Sequence, residues 1–182
     1  MNNMKKLFLS ALLGIATSGA IAQMSQGAFM MGGNFDFNLT SGNKSSTTSL
    51  TIAPTAGLFL VENMGIGASV GFNSYNYKAN GTSISSGSSI FISPFTRYYF
   101  AGNAFGQFDI PLNLSKNANY DFGTKMKLGY DIFLTDNVAL EPSVYAGFYF
   151  GRNQTIEKPN DNLKYQFLST GVDVTLQIFL NR

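Results

Sequence analysis

A two-residue alternation of apolar and polar side chains runs along most of the chain and restricts its fold more than any other feature. In the segment MGIGASVGFNSYNY, one parity holds Met64, Ile66, Ala68, Val70 and Phe72, and the other holds small or polar residues. Successive side chains of a β-strand point to opposite faces, so this period indicates a strand with one apolar face. The chain is therefore predicted to be all-β beyond its first residues.

The same alternation predicts eight strands whose connections are alternately short and long. The predicted strands span about 28–39, 48–61, 65–77, 88–101, 105–115, 121–134, 139–151 and 165–180. Three-residue turns are expected at 62–64 and 102–104, and another short turn around Asp136-Asn137. Longer polar loops are expected at about 40–47, 78–87, 116–120 and 152–164. This alternation is typical of an eight-stranded up-and-down antiparallel barrel.

The first 22 residues have the pattern of a cleaved signal peptide. Lys5 and Lys6 precede an apolar stretch rich in small residues, and Ala20-Ile21-Ala22 fits an A-x-A cleavage site that leaves Gln23 as the first mature residue. A membrane-anchor helix is the alternative, but the stretch is short and interrupted by Ser and Gly. The predicted organisation is a signal peptide at 1–22 and one barrel domain at 23–182.

The composition favours a barrel in a membrane over a barrel in water. Charged residues make up 12% of the chain, against roughly 25% in soluble domains. Several of the predicted strands also have 13 or more residues, whereas ~9–11 residues are enough to cross a bilayer. A transmembrane barrel places its apolar residues outward and its polar residues in the lumen. We therefore expect an outer-membrane location; the alternative is a soluble exported barrel that binds an apolar ligand inside.

Three segments carry a resemblance to a known family: TIAPTAGLFLVENMGIGASVGF, ISPFTRYYF and LEPSVYAGFYF. With the predicted signal peptide, they resemble the small outer-membrane β-barrel family, also described as the porin family. The resemblance extends from about residue 27 to the end and lies in the pattern of residues, with no catalytic motif. It implies an eight-stranded barrel in the outer membrane of a Gram-negative cell, and implies little about activity.

Eight charged residues fall on the parity that is predicted to face the lumen. An eight-stranded barrel is just wide enough for side chains to fill, and buried charges must be paired. We therefore expect a structural ion-pair network and not a selectivity lining. A three-residue turn at 102–104 would place Arg97 opposite Asp109, with Asp131 or Glu141 reaching toward them across the barrel. The full set is Asp36, Arg97, Asp109, Lys125, Lys127, Asp131, Glu141 and Asp173.

Three prolines share the parity that is predicted to face lipid: Pro54, Pro94 and Pro142. Proline has no N–H to donate, and a closed barrel has no free edge that would tolerate the missing donor. We therefore expect a bulge or a locally unpaired carbonyl beside each of them.

The sequence contains no motif that indicates catalysis or cofactor binding. The chain has no Cys and no His, so it lacks thiolate ligands and the base that most often activates serine or water. The glycines of GIGASVG alternate within a predicted strand, whereas a phosphate-binding loop opens a helix. From residue 23 onward ten basic and ten acidic side chains balance, unlike the basic surface of a nucleic-acid-binding protein. We expect no enzyme activity, cofactor or metal.

The expected function is structural or surface-interacting. The chain is predicted to be a monomeric integral protein surrounded by outer-membrane lipid, with no nucleic-acid partner. Its loops at 40–47, 78–87 and 152–164 would be available to an extracellular ligand or partner. The main alternative is a narrow porin that passes ions or small solutes, and the weakest is an enzyme that acts on lipid.

Overall fold

The described part of the chain consists almost entirely of β-strands. The computed structural model describes residues 24–41, 45–115, 121–153 and 160–181, and for residues 36, 38, 40, 152, 153 and 160–167 it describes the backbone alone. The predicted signal peptide therefore lies outside the described residues. Among the described residues, no helix is long and apolar enough to cross a membrane. The strands are β1 (Phe29–Ser41), β2 (Ser45–Val61), β3 (Met64–Ala79), β4 (Thr82–Ala101), β5 (Ala104–Asp109), β6 (Leu112–Asn113), β7 (Phe122–Tyr130), β8 (Ile132–Phe133), β9 (Val138–Asn153) and β10 (Asn160–Leu180).

These strands close into an eight-stranded antiparallel barrel, which confirms the predicted fold class. Strands β5 and β6 follow one another along β4 and form a single barrel strand. Strands β7 and β8 do the same along β9. Each barrel strand pairs with the next one in sequence, and β10 returns to pair with β1. All eight predicted strands are present.

Burial along the strands follows the two-residue alternation. In β4, Phe95, Arg97 and Tyr99 are buried, whereas Tyr98 and Phe100 on the other parity are more than half exposed. The large apolar side chains that remain exposed include residues of every long strand. The exterior of the barrel is therefore mainly apolar, whereas Arg97, Asp109 and Glu141 are buried inside.

Each of the three prolines lies beside an interruption in the ladder. The break between β5 and β6 lies opposite Pro94, which accepts a hydrogen bond from the Ile110 N–H at 2.9 Å and cannot return one. The break between β7 and β8 lies opposite Pro142. Next to Pro54 the pairing of β2 with β3 is interrupted between Ile52 and Thr55 without a shift of register. The expected disturbance is present at each proline, and it takes the form of a broken ladder and not of a bulge.

The prediction of a loop at 78–87 is wrong. Strands β3 and β4 continue through it and meet in a two-residue turn, Asn80-Gly81, whose φ angles are 52° and 79°. Two positive φ angles are what a type I′ hairpin turn requires, and Asn-Gly is the preferred pair for it. The Ser-rich and Asn-rich residues on either side lack an apolar alternation, but they complete the backbone ladder.

The other long connections are also shorter than predicted. Strand β1 ends at Ser41 and β2 begins at Ser45, so most of the predicted loop at 40–47 is strand. Strands β9 and β10 likewise occupy both ends of the predicted loop at 152–164; residues 154–159 and the loop at 116–120 lie outside the described residues. The strands of this end therefore extend well past the length that the sequence predicts.

The predicted turn lengths are wrong in two hairpins. The turns are the two-residue pairs Glu62-Asn63 and Gly102-Asn103, and each is accompanied by a register shift, between Phe59 and Val61 in one hairpin and between Tyr99 and Ala101 in the other. The bulged residue keeps each side chain on its predicted face of the barrel. It shifts the pairing by two positions from the register of a three-residue turn. Phe59 therefore pairs with Gly65, whereas the predicted three-residue turn at 62–64 would have paired it with Gly67.

Candidate functional site

The polar centre of the lumen is a buried ion pair that joins opposite walls. Arg97 on β4 and Glu141 on β9 are 4% and 2% exposed. The Arg97 guanidinium donates two hydrogen bonds to the Glu141 carboxylate, from Nη1 at 2.6 Å and from Nη2 at 3.1 Å. It also lies 4.1 Å above the ring of Phe105. This fork geometry supplies the close countercharge that a buried arginine requires.

Neutral side chains extend this ion pair into a continuous hydrogen-bond network. Arg97 Nε donates to Gln107 Oε1 at 2.8 Å, and Gln107 Nε2 donates to Asp109 Oδ1 at 2.9 Å. On the other side, Arg97 Nη1 donates to the Tyr99 hydroxyl at 3.3 Å, and that hydroxyl donates to Asp131 Oδ2 at 2.7 Å. Four of the predicted lumen residues are thus connected through one glutamine and one tyrosine.

The predicted direct pairing of Arg97 with Asp109 is wrong. Arg97 lies opposite Gln107, and Asp109 lies opposite Phe95. The cause is the bulge beside the Gly102-Asn103 turn, which moves the ladder two positions from the register of a three-residue loop. Asp109 is therefore reached through Gln107, while Glu141 lies across the barrel and contacts Arg97 directly.

A second charged cluster adjoins this network, since Lys125 and Lys127 are the ladder partners of Asp109 and Gln107. Lys125 and Lys127 on β7 each place Nζ 3.3 Å from the same oxygen, Oδ2 of Asp173 on β10. The Lys125 ammonium also lies 4.2 Å from the ring centre of Tyr145. Two cations therefore share one carboxylate oxygen, at distances longer than the ~2.7–2.9 Å of a well-formed charged hydrogen bond.

The eighth predicted lumen residue, Asp36, lies on β1 opposite Thr51. Its side chain lies outside the described part of the structure. Seven of the eight predicted residues can therefore be placed, and these seven lie in the two clusters above.

An aromatic layer closes the lumen at the end with the short turns. Phe59, Tyr99, Phe105 and Phe179 form a chain of ring contacts, with centroids 5.7–6.5 Å apart. The segment Met24–Ala28 folds across this end, where the Gly27 N–H donates to the Phe59 carbonyl at 2.8 Å and the Asn63 N–H donates to the Met24 carbonyl at 3.0 Å. We call this assembly the aromatic plug.

Beyond the charged clusters, on the side away from the aromatic plug, the lumen widens into a polar cavity of about 370 Å³. Both clusters contribute to its wall, together with short hydroxyl and amide side chains such as Asn34, Thr51 and Asn73. Among the described residues, two buried polar atoms of the wall have no hydrogen-bond partner: Asp109 Oδ2, an acceptor, and Gln177 Nε2, a donor. The cavity therefore offers both an unused acceptor and an unused donor.

Several residues of this site were not predicted from the sequence, notably Gln107, Tyr99, Tyr145 and Gln177. Each lies on the inward parity, so alternation indicates the direction of its side chain. Its partner depends on the register across the barrel, which alternation does not indicate. Within the described residues, no group of three or more carboxylates is placed to hold a metal ion.

Comparison with known proteins adds no relative: no family model, no curated protein and no solved structure matches the chain.

Proposed function

We propose that this chain is an integral outer-membrane β-barrel protein of structural or surface-interacting type, with its lumen filled by side chains. The observation that carries the proposal is the reversed distribution of polarity. Outward-facing apolar residues such as Val70, Val144 and Val174 are more than half exposed, while Arg97 and Glu141 are buried inside. Such an exterior is unfavourable in water and favourable in hydrocarbon.

The length of the strands supports an outward projection from the bilayer. A tilted strand of ~9–11 residues crosses the hydrocarbon layer, whereas β3 has 16 residues and β4 has 20. The excess lies at the Asn80-Gly81 end, where the sequence TSISSGSS is hydroxyl-rich. We assign this polar extension to the cell exterior, as the surface that meets an external partner.

A narrow porin is the alternative, and the aromatic plug disfavours it. Phe59, Phe105 and Phe179 are each about 1% exposed or less. An eight-stranded barrel leaves no room for an aqueous channel beside such residues. We therefore expect no stepwise conductance from the folded protein in planar bilayers, and regular single-channel steps would favour the porin.

Insertion and orientation can be tested with single cysteines, because the chain has none of its own. Ser85→Cys lies on the polar extension and Asn137→Cys lies in a short turn, and both positions are exposed. In intact cells, a membrane-impermeant thiol reagent is expected to label the first variant and not the second. The folded chain should also remain in the membrane fraction and migrate differently in a gel before and after boiling.

A comparison of the two single-cysteine variants distinguishes an inverted orientation from a soluble barrel. Labelling of Asn137→Cys alone would invert the proposed orientation. Recovery of the unlabelled chain in the aqueous fraction without detergent would favour a soluble barrel. The proposal assigns no catalytic role and no cofactor to the lumen residues.

A further inference from the structure

The barrel is closed unevenly between its first and last strands. Strand β1 pairs with β2 along its whole length, from Phe29 to Ser41. It pairs with β10 only from Phe29 to Gly33, opposite Leu180 to Leu176. In the part of the chain that the structure describes, the remaining residues of β1 and β10 pair only with β2 and β9. We call these remaining residues, 34–41 of β1 and 160–175 of β10, the seam.

The backbone at Gly33 marks the start of the seam. Its φ angle is 149°, a conformation that other residues rarely adopt. A Cβ atom at this position would lie 2.7 Å from the Ala53 carbonyl oxygen and 2.8 Å from Pro54 Cα. Glycine is therefore required at the residue where β1 stops pairing with β10.

The outer border of the seam is strongly apolar. Val172 and Phe35 are 71% and 70% exposed, the highest values among the large apolar side chains that the structure describes. Phe37 and Val174 beside them are 59% and 58% exposed. Continuing the register of Gly33 with Leu176 would place Phe35 opposite Val174, so these two side chains flank the seam.

The inner border of the seam is the polar cavity. Asn34, Asp173, Thr175 and Gln177 lie on the two seam strands and line the cavity wall. Gln177 is 1% exposed, and its Nε2 is one of the two wall atoms that have no partner within the described part of the chain. The seam therefore lies between the apolar exterior of the barrel and the polar groups of the cavity wall.

We propose that the seam is a lateral portal, through which the lumen cavity binds the zwitterionic headgroup of a membrane phospholipid while its acyl chains remain outside. This inference rests on the proposed membrane location. The Lys125 and Lys127 ammonium groups and Gln177 Nε2 are donors for the phosphate, and the unpartnered Asp109 Oδ2 accepts from the ammonium group. The acyl chains lie against Phe35, Phe37, Val172 and Val174.

The chemistry of the seam favours a lipid over an added β-strand. Unpaired backbone groups are strongly unfavourable in hydrocarbon, so the seam requires a polar occupant at membrane depth. An extended peptide would pair with the strand edges but would leave the cavity donors and acceptor unused. A phospholipid brings polar atoms to the inner border and apolar chains to the outer one.

The portal can be tested on the full-length barrel reconstituted in vesicles of phosphatidylethanolamine and phosphatidylglycerol, by native mass spectrometry after mild detergent extraction. We expect wild type to retain one phosphatidylethanolamine. The double variant Lys125→Gln/Lys127→Gln should retain at least tenfold less. Lys78→Gln is the matched control, because Lys78 is exposed and lies outside the cavity wall, and it should behave as wild type.

A disulfide across the seam gives an independent test of the portal. Oxidised Phe35→Cys/Val174→Cys should lose the lipid and regain it on reduction, whereas Met31→Cys/Ile178→Cys, at a position that is already paired, should retain it in both states. Equal retention by the lysine double variant, or by the oxidised seam variant, would overturn the portal. So would equally strong binding of soluble phosphoethanolamine, or disulfide-linked dimers of Phe35→Cys alone, which would indicate strand addition. The gel mobility of the same samples reports insertion, so failure of the membrane proposal is recognised separately.

Discussion

At the scale of single residues, the pair of Arg97 and Glu141 is the most consequential contact in the lumen. Glu141→Gln would remove the carboxylate and leave the guanidinium buried without its countercharge. Breaking a buried ion pair in this way costs about 3–5 kcal/mol. We expect a loss of that size in the free energy of unfolding, measured by urea titration of the folded barrel in detergent.

The double variant Arg97→Met/Glu141→Leu separates the ion pair from the packing of its side chains. Replacing both charges with apolar groups is often neutral or stabilising in buried sites, so we expect this variant to regain most of the stability that Glu141→Gln loses. If the single variant were as stable as wild type, the ion pair would make no net contribution to stability. Lys78→Ala on the exposed face is the control for a change of charge alone.

Gly33 carries a second prediction at this scale. Gly33→Ala would combine a positive φ angle with a Cβ atom placed against the backbone of Ala53 and Pro54. Strain of this kind costs about 1–3 kcal/mol, so we expect a corresponding loss of stability by urea titration. At Gly106 an added Cβ meets nothing closer than 3.8 Å. Gly106→Ala should therefore unfold at a urea concentration close to that of wild type, and a similar loss at both positions would contradict the prediction.

Side-chain direction was predictable at this scale, but partners were not. The alternation assigns Arg97 to the lumen, and the structure buries it there. Its hydrogen bonds to Gln107 and Glu141 depend on the bulge beside one turn and on the pairing across the barrel. A one-residue bulge has no hydrophobic signal of its own, so the sequence pattern could not indicate it.

At the scale of elements, the hairpin of β3 and β4 depends on the conformation of two residues. Both Asn80 and Gly81 have positive φ angles, and Gly81→Ala would force a side chain into that region at about 1–2 kcal/mol. We expect the cost to remain local, because the hairpin projects beyond the apolar belt. Hydrogen exchange should become faster near the turn and stay unchanged at Gly67 and Phe95 in the barrel wall. A uniform acceleration along β3 and β4 would contradict the prediction.

The sequence was sufficient to predict that each barrel strand is present. It predicted only some of the strand ends and some of the interruptions in the ladder. The apolar alternation identifies all eight barrel strands, because each has one apolar face on the exterior of the barrel. The polar ends of β3 and β4 carry no such face, so the sequence places a loop where the ladder continues. The prolines did indicate a disturbance, since the loss of an N–H donor is a local property.

At the scale of the whole molecule, the lumen is divided into levels of different chemistry. The aromatic plug closes the short-turn end, the network of Arg97 and Glu141 lies above it, and the polar cavity follows. This order explains how the barrel accommodates many buried charges, because the surrounding strands supply hydrogen-bond and ion-pair partners to each cluster. The seam borders the cavity and the cluster of Lys125, Lys127 and Asp173, and it begins at Thr175, which lies opposite Glu141.

The proposed membrane location makes a depth-dependent prediction on the exterior. Val144 lies midway along the outward run of β9 from Val138 to Phe150, and it is 54% exposed. Arginine on the lipid face costs roughly 2–4 kcal/mol at the midplane and about 0–1 kcal/mol near the interface. Val144→Arg should therefore lower the stability of the barrel in vesicles by that larger amount. Leu134→Arg, beside a short turn, should have little effect although Leu134 is equally apolar and 61% exposed.

The same two variants in detergent-free buffer provide the contrast. If the barrel were soluble, both side chains would face water, and neither arginine would be destabilising, since exposed substitutions away from special features change stability by only about 0.5 kcal/mol. A difference between Val144→Arg and Leu134→Arg arises only where hydrocarbon surrounds the first position and headgroups surround the second. Urea titration of vesicle-inserted protein, followed by the gel mobility of unboiled samples, measures that difference directly, and equal stability of the two variants would contradict a membrane-spanning barrel.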